Sequence, residues 1–385
     1  MAGPVNRSID CEVAVIGAGI AGASAAAFLA PHARVLILEA ESQPGYHTTG
    51  RSAAFLAESY GAPLVRPLTR ASKRFYLEPP PGFAEAPLAS PRGALYVFDE
   101  AARAQAEADA AEFARDIAGV RILDAAEARA MVPVLRAERL AGAVLDPECR
   151  DLDVAAIHHG FLRRAKAGGA ELVTDARVDS LARDDGHWRL RLADGREIRA
   201  GRVVNAAGAW VDEVAKAAGL APLGFRPLRR TIIIFTPRTV AVDPRWPVVI
   251  EIHEDFYFKP ETGRILASPA DETPSPPCDA QPEDIDVAIA VDRIQRWTTL
   301  DVPRITNKWA GLRTFAPDRV PVVGEDPRAP GFFWCAGQGG YGIQTAWAMG
   351  RLTAAVVLGE ELPPALREAG VRAENYAPDR FLVAA

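Results

Sequence analysis

The segment VAVIGAGIAGASAAAFLA, residues 13–30, followed by ARVLILEA constrains this chain more than any other. CEVAVIG is a continuous β-branched run of the kind that forms a strand buried on both faces. AGASAAAFLAPH reads as a helix closed near Pro31, and ARVLILEA reads as a second buried strand. Between the first strand and the helix stand Gly17, Gly19 and Gly22. In this setting the first glycine makes the tight turn and the second lets a pyrophosphate reach the backbone. The third packs helix against strand. Phosphate oxygens then sit on the free N–H groups of the helix, here beginning at Ile20 and Ala21. Glu39, 22 residues after Gly17, ends the second strand with Ala40 beside it. An acid there holds ribose hydroxyls and disfavours a 2′-phosphorylated nucleotide. The uncharged run is long enough to mimic a membrane span, but its fixed glycines and alanine content predict a strand and a close-packed helix, with no stable membrane insertion.

The totals fit a large soluble core. The chain has 385 residues, 49% of them hydrophobic, and a net charge of −6. Its 44 basic residues are scattered, so nucleic acid is not an expected partner. Cys11, Cys149, Cys278 and Cys335 form no CxxC pair, and the histidines have no ligand companions, so no metal site is expected. The first twelve residues lack the pattern of a signal peptide, and a reducing, cytoplasmic location is the expectation.

Beyond Glu39 the chain does not continue with further βα units, as a nicotinamide dehydrogenase does. It enters GYHTTGRSAAFLAESYG, residues 45–61, and leaves the α/β pattern for about a hundred residues. Helices are expected over 101–118, 152–168 and 285–298. The stretch after 170 alternates apolar and polar residues around the hairpin turns DDGH and ADGR and ends on VVNAAG. RRTIIIF, PVVIEI, DFYFKP and GRILAS predict a second, mainly antiparallel sheet. A second Gly-rich strand-to-helix turn spans Gly337 to Gln344. A helix N-terminus there could stabilise negative charge on a reduced flavin. The fold class is therefore α/β with an α+β substrate domain. A discontinuous nucleotide-binding domain is expected over 1–75, 145–220 and 305–385, and a substrate domain over 76–144 and 221–304.

VAVIGAGIAG…LEA, GRSAA, VVNAAGAW, WAGLRTFAPDRVPVVG and GQGGYGIQTAWAMG together resemble the D-amino acid oxidase/dehydrogenase family of FAD enzymes. Within it, QPGYHTTGRSAA, VPVLR, RPLRRT, FYFKP and GGYGIQT are similar to bacterial D-arginine dehydrogenases. The resemblance implies a glutathione-reductase-like Rossmann FAD domain, non-covalent FAD, an amino-acid substrate and an electron acceptor that is a quinone or O2. It implies that Arg313 forks onto the substrate carboxylate with Arg230 and Tyr257 beside it, and that Tyr60 lies on a loop covering the substrate. Gln344 and Gly340 fall where flavin and substrate meet, completing a catalytic group of Tyr60, Arg230, Tyr257, Arg313 and Gln344. FAD contacts are implied at Arg51, Ser52, Ala53, Ala54, Val178, Ala207, Gly208, Trp210 and Gly311. They are implied again at Gly339, Gly340, Tyr341, Gly342, Ile343 and Gln344.

The departures from D-arginine dehydrogenases concern the side-chain pocket. The glutamate that receives the cationic end of arginine corresponds to Ala94, while a histidine and a threonine of the covering loop correspond to Phe55 and Ala57. Burying a guanidinium without its carboxylate costs several kcal/mol. The expected activity is oxidative deamination of D-amino acids with neutral or apolar side chains. Oxidases of N-alkyl or cyclic amino acids, of the glycine or sarcosine oxidase kind, or of 2-hydroxy acids are the alternatives, since a carboxylate clamp serves all of them. Cys335 is expected near the flavin without forming a covalent link.

Overall fold

The structure, a computed structural model, describes residues 9–382. The glycine-rich segment forms strand Ile9–Ile16, helix Ile20–Leu29 and strand Val35–Leu38, so the apolar run is divided between two short elements. Among the described residues no helix is long and apolar enough to cross a membrane.

Strand Ile9–Ile16 lies at the centre of an eight-stranded sheet. It pairs in parallel with Val35–Leu38 on one side and Glu197–Asn205 on the other. Glu171–Val173 extends the first side in parallel, and Phe332–Ala336 joins Glu197–Asn205 in parallel. The hairpins Val178–Asp184/His187–Leu192 and Val322–Glu325/Phe332–Ala336 complete it antiparallel. The DDGH turn forms as read, with positive φ at both Asp185 (47°) and Gly186 (78°), the geometry of a two-residue hairpin.

Both faces of this sheet are covered at its centre because Val13–Ile16 and Val35–Leu38 are apolar at every position. Val13, Val15, Val35 and Ile37 face helices Ile20–Leu29, Val154–Ala167 and Ala346–Leu358. Ala14, Ile16, Leu36 and Leu38 face Trp188, Trp334 and Val211 on the other side. Period-two alternation of Cβ direction sends one continuous apolar run into two cores.

The second sheet runs Thr273–Pro274, Arg226–Phe235, Arg264–Ser268, Tyr257–Glu261, Val248–Glu251, Ala94–Phe98, Gly142–Asp146, Arg121–Asp124. It is antiparallel except for the Val248–Glu251/Ala94–Phe98 pair. Ile305–Phe315, which the sequence grouped with the nucleotide-binding segments, is a strand of this second sheet, antiparallel to Arg226–Phe235. AGLRTF brings Gly311 and Arg313 to the wall of one cavity, while its hydrogen bonds place it in the second sheet. Tyr257 packs on one face of this sheet while Phe256 and Phe258 enter the opposite core.

The helices expected over 101–118, 152–168 and 285–298 are Arg103–Phe113, preceded by a 3-10 turn, Val154–Ala167 and Asp284–Trp297. Asp153 caps the second by accepting the N–H of Ala156 (2.8 Å). A small three-stranded sheet, Phe55–Leu56, Arg150–Leu152 and Ala89–Pro91, ties the root of the 45–61 segment to the second sheet.

Candidate active site

A single cavity of about 530 Å3 runs from the glycine-rich turn to the face of the second sheet. Its first part is built mainly from backbone. Gly17 has φ +100°, and a Cβ there would stand 2.6 Å from the Ala206 carbonyl oxygen. A Cβ on Gly22 would stand 1.8 Å from the Gly17 oxygen, so this glycine sets helix packing and does not itself line the cavity. Gly19, Ile20 and Ala21 do line it. Ile20 N–H donates to Thr49 Oγ1 (3.0 Å), which joins the helix N-terminus to the 45–61 segment. Glu39 accepts from Ala18 N–H (2.8 Å) and Glu41 N–H (3.0 Å), one bond per carboxylate oxygen, and keeps lone pairs for a ribose.

Ala40, Arg51, Ser52, Ala53, Ala54, Val178, Ala207, Gly208, Trp210 and Gly311 all line the cavity. Gly339, Gly340, Gly342, Ile343 and Gln344 line it from the other end. Arg51 is spent on structure: it donates to Ala280 O (2.8 Å) and Ala310 O (2.9 Å) and pairs with Asp279. Tyr341 departs from expectation. Its ring leaves the cavity and packs on Tyr60 (5.0 Å) and Phe315 (6.2 Å).

The helix after the second glycine-rich turn also departs from expectation. It begins at Ala346, and residues 346–348 do not reach the cavity. Ala348 N–H donates to Ser72 Oγ (3.1 Å), Ala346 N–H donates to Ile343 O (3.2 Å), and the buried Tyr76 hydroxyl donates to the same Ile343 carbonyl. The first turn of the helix is therefore fastened to helix Arg66–Leu77. Any electrostatic stabilisation at this end of the cavity falls to the 337–344 turn and to Arg313. Cys335 lies away from the cavity as well; Thr353 Oγ1 donates to its sulfur (3.3 Å), and burial pushes its thiol up to about 11.

The substrate part is built from side chains. Register Leu228↔Arg313 and Arg230↔Gly311 places Arg230 and Arg313 on one face of the sheet, diagonal to each other across adjacent strands. Arg229 points the other way and pairs with Asp286 (3.0 Å) and Glu283. Arg313 Nη1 donates to Tyr60 Oη (3.0 Å). No carboxylate among the described residues is within ion-pair distance of Arg313. Burial works against its charge, but Tyr60, Tyr257, Glu254 and Tyr341 outweigh that and hold it more firmly protonated than usual. Burial pushes the Tyr60 phenol up despite the pull of Arg313, so the pair is a cation beside a neutral hydroxyl. A side chain at position 340 would stand 2.8 Å from Arg313 Nη1, so Gly340 makes room for the guanidinium.

Arg230 is held differently: Nε donates to Asp271 O (2.8 Å) and Nη2 to Glu272 (3.4 Å), which is itself bound by Arg319 (2.8 and 3.0 Å). The Tyr257 hydroxyl is buried with no hydrogen-bond partner, and so are Thr314 Oγ1 and His47 Nδ1. All three residues line this cavity. An unpaired buried polar atom costs about 1–3 kcal/mol, so this wall is complete only with polar groups bound against it.

Phe55, Ala57, Tyr96, Cys149, Ile232, Val248 and Ile250 make up the apolar remainder. Ala94 is not among them. It is fully buried in the sheet beside Asp146, so the alignment that put a lost carboxylate there points at a core position. Glu85, the other acidic residue near that stretch, is exposed and outside the cavity.

Among the cavity residues that sequence reasoning missed are His47, Thr49 and Glu254. His47 lines the nucleotide end, with Nε2 2.9 Å from Glu41 and its ring 4.6 Å from Trp210. Thr49 adds the hydroxyl at the helix N-terminus. Glu254 enters from the turn between Val248–Glu251 and Tyr257–Glu261 in a left-handed conformation (φ +59°). It is open to the cavity, yet desolvation by the walls pushes its carboxyl up, against the pull of Arg313 and Arg230. No local pattern marks IHED as a site, because Glu254 acquires its neighbours only when distant strands pair. Among the described residues no cluster of acidic, histidine and cysteine side chains fits a metal.

Residues 12–356 match the model of the FAD dependent oxidoreductase family, DAO. The chain belongs to that family. The mitochondrial dimethylglycine dehydrogenase of Mus musculus is 26% identical over 266 residues, 63% of this chain. That match spans only 30% of the length of the dehydrogenase. Glycine oxidase from Geobacillus kaustophilus superposes with a TM-score of 0.79 at 23% identity, covering 92% of this chain and 96% of that one. Iminodiacetate oxidase from Chelativorans sp. BNC1 superposes with a TM-score of 0.77 at 26% identity, covering 95% and 99%. FAD is thus the cofactor of this oxidoreductase. The residues fit the group. Gly17 and Gly19 leave room for a pyrophosphate, Glu39 keeps lone pairs for a ribose, and His47 and Thr314, each with an unpaired buried polar atom, are among the lining residues.

Proposed function

We propose that this enzyme oxidises the α-carbon of D-amino acids with neutral or apolar side chains, giving an imino acid that water converts to a 2-oxo acid and ammonia. The observation that carries the reading is the pair Arg313 and Arg230 on one sheet face with the orphaned Tyr257 hydroxyl between cavity and core. A guanidinium meets a carboxylate with two parallel N–H groups and keeps its charge at any working pH. Arg313 is available for this, since its hydrogen-bonded neighbour Tyr60 is neutral, and Tyr257 supplies a further donor. FAD, when bound, supplies the two-electron oxidant that takes the α-hydrogen with its electron pair. The protein contributes orientation: a fixed carboxylate fixes the α-carbon, and positioning of this kind supplies much of the rate that such a reaction requires.

The side-chain preference follows from Phe55, Ala57, Ile232, Val248 and Ile250, which offer no partner for a distal cation. Glu254 is coupled to the clamp, not to this apolar wall. The D preference rests on the segments shared with D-arginine dehydrogenases. Tyr60, Arg230, Tyr257 and Arg313 contact substrate in this reading, while Gln344 positions the segment above it. The FAD is held without a covalent bond, and a cytoplasmic location fits the free cysteines. A second reading, oxidation of N-alkyl or cyclic amino acids, is favoured by the names of the similar proteins, a dimethylglycine dehydrogenase and an iminodiacetate oxidase.

A steady-state screen of D-amino acids, sarcosine and proline, read by dye reduction, tests the choice. The proposal expects D-Leu, D-Met or D-Phe to lead. Rates on D-Arg and D-Lys far above these would sink the apolar pocket, and rates on sarcosine above all of them would favour the second reading. Peroxide formation under air distinguishes oxygen from a quinone as acceptor.

A further inference from the structure

Residues 57–60 are fastened one after another to different parts of the molecule. Ala57 N–H donates to Gln344 Oε1 (3.2 Å), and Gln344 Nε2 donates to Tyr60 O (3.3 Å). Glu58 pairs with Arg70 (3.2 Å) and Lys73 (2.8 Å) of helix Arg66–Leu77. Tyr60 Oη accepts from Arg313. Ser59 reaches the second sheet: its Oγ donates to Asp146 Oδ2 (2.5 Å) and lies 2.9 Å from Tyr96 Oη.

That third fastening differs from the rest in burial. Asp146 is fully buried at the end of strand Gly142–Asp146, with Ser59 and Tyr96 almost as enclosed. A carboxylate placed there is costly, and desolvation pushes it up from its ordinary range. Its other oxygen accepts Glu148 N–H (2.9 Å), so the Ser59 hydroxyl is the side-chain donor that offsets the cost. Tyr96 and Cys149 meanwhile line the cavity, so the network borders the substrate.

We propose that Ser59, Asp146 and Tyr96 form a latch that holds the 57–60 segment, and with it the Tyr60 hydroxyl, over the arginine clamp. Asp146 and Ser59 are positioning residues acting through Tyr60. The turnover arm of the test rests on the reaction proposed above; the exchange arm does not.

The experiment compares FAD-loaded wild-type enzyme with Ser59→Ala, Asp146→Asn and the double variant. Hydrogen–deuterium exchange is followed in peptides covering residues 55–62. Loss of the latch speeds exchange of that segment about tenfold or more, while peptides of the first sheet keep their rates. With substrate, KM rises about tenfold, the scale of one hydrogen bond to a charged group, and the maximal rate of flavin reduction changes by less than about threefold. The double variant is no worse than the poorer single one, because either change opens the same latch. Unchanged exchange in Ser59→Ala, additive effects, or a lower maximal rate at unchanged KM would overturn the latch. If Asp146→Asn does not fold, Ser59→Ala with Tyr96→Phe carries the same comparison. An enzyme whose segment exchanges slowly but whose flavin no amino acid reduces would contradict the proposed reaction and leave the latch standing.

Discussion

The two ends of the cavity are made of different material. At the nucleotide end, backbone and small residues do the shaping: Gly17, Gly19, Ala40, Ala53 and Ala207 line the space, and Gly22 lets the helix pack against the turn behind them. At the substrate end, Arg230, Arg313, Tyr60, Tyr257 and Glu254 converge from four separate stretches of chain. The first end depends on the absence of side chains, and a single added methyl group breaks it. The second depends on their presence, and it fails residue by residue.

That contrast can be broken most severely at Gly22. A Val there would drive its Cβ to 1.8 Å from the Gly17 oxygen, and no rotamer relieves a backbone clash. A loss of about 3–5 kcal/mol is expected, with little flavin recovered. The check is the ratio of flavin to protein absorbance and the melting temperature; a yellow Gly22→Val protein of normal stability would show that the turn is not close-packed.

Arg313→Ala tests the other end. Removing one partner of a buried charged contact costs about 2–5 kcal/mol, or roughly 30- to 5,000-fold in kcat/KM, while FAD content stays at the wild-type level. Simultaneous loss of flavin would erase the distinction between the two ends. Tyr257→Phe removes a hydroxyl that has no protein partner, so stability should hold or rise slightly. Activity should fall about five- to tenfold, the value of one hydrogen bond.

The smallest effect is expected from Glu254→Gln, and it is one of pH. Desolvation raises the Glu254 carboxyl above its ordinary value, so its protonated, neutral form persists to higher pH in the folded enzyme. As pH rises through that raised value the residue becomes an anion facing Arg313 and Arg230, and it then competes with a bound carboxylate. Affinity for a simple monocarboxylate, followed by perturbation of the flavin bands, should therefore be greatest at the acidic side and weaken as pH rises. Glu254→Gln should flatten that slope and tighten binding about threefold at neutral pH, under one kcal/mol. An unchanged slope would place Glu254 outside the clamp. Tyr60 adds no slope below its raised phenol value.

The same contrast governs what could be read from the sequence. The strand–glycine–helix–strand–acid order is local, and each residue's role follows from its neighbours in sequence, so Gly17, Gly19, Gly22 and Glu39 were legible. Tyr257 and Arg313 were legible only through family resemblance. Glu254 and Asp146 were not, because their environments arise from strand pairing across long stretches of chain. Ala94 was misplaced although it shares the cavity-side face of its strand with Tyr96, because it is packed beside Asp146 and does not reach the cavity. The positive end of helix Ala346–Leu358 was misjudged because Ser72, far upstream, takes up the Ala348 N–H and the first turn stands off the cavity.

The most direct test of the central claim is anaerobic bleaching of the bound flavin by a panel of D- and L-amino acids, in wild-type enzyme and in Arg313→Ala. The account predicts rapid bleaching by D-Leu, D-Met or D-Phe, slow bleaching by D-Arg and D-Lys, and loss of the fast reactions in Arg313→Ala. Bleaching that is fastest with D-Arg, or that survives unchanged without Arg313, would contradict it.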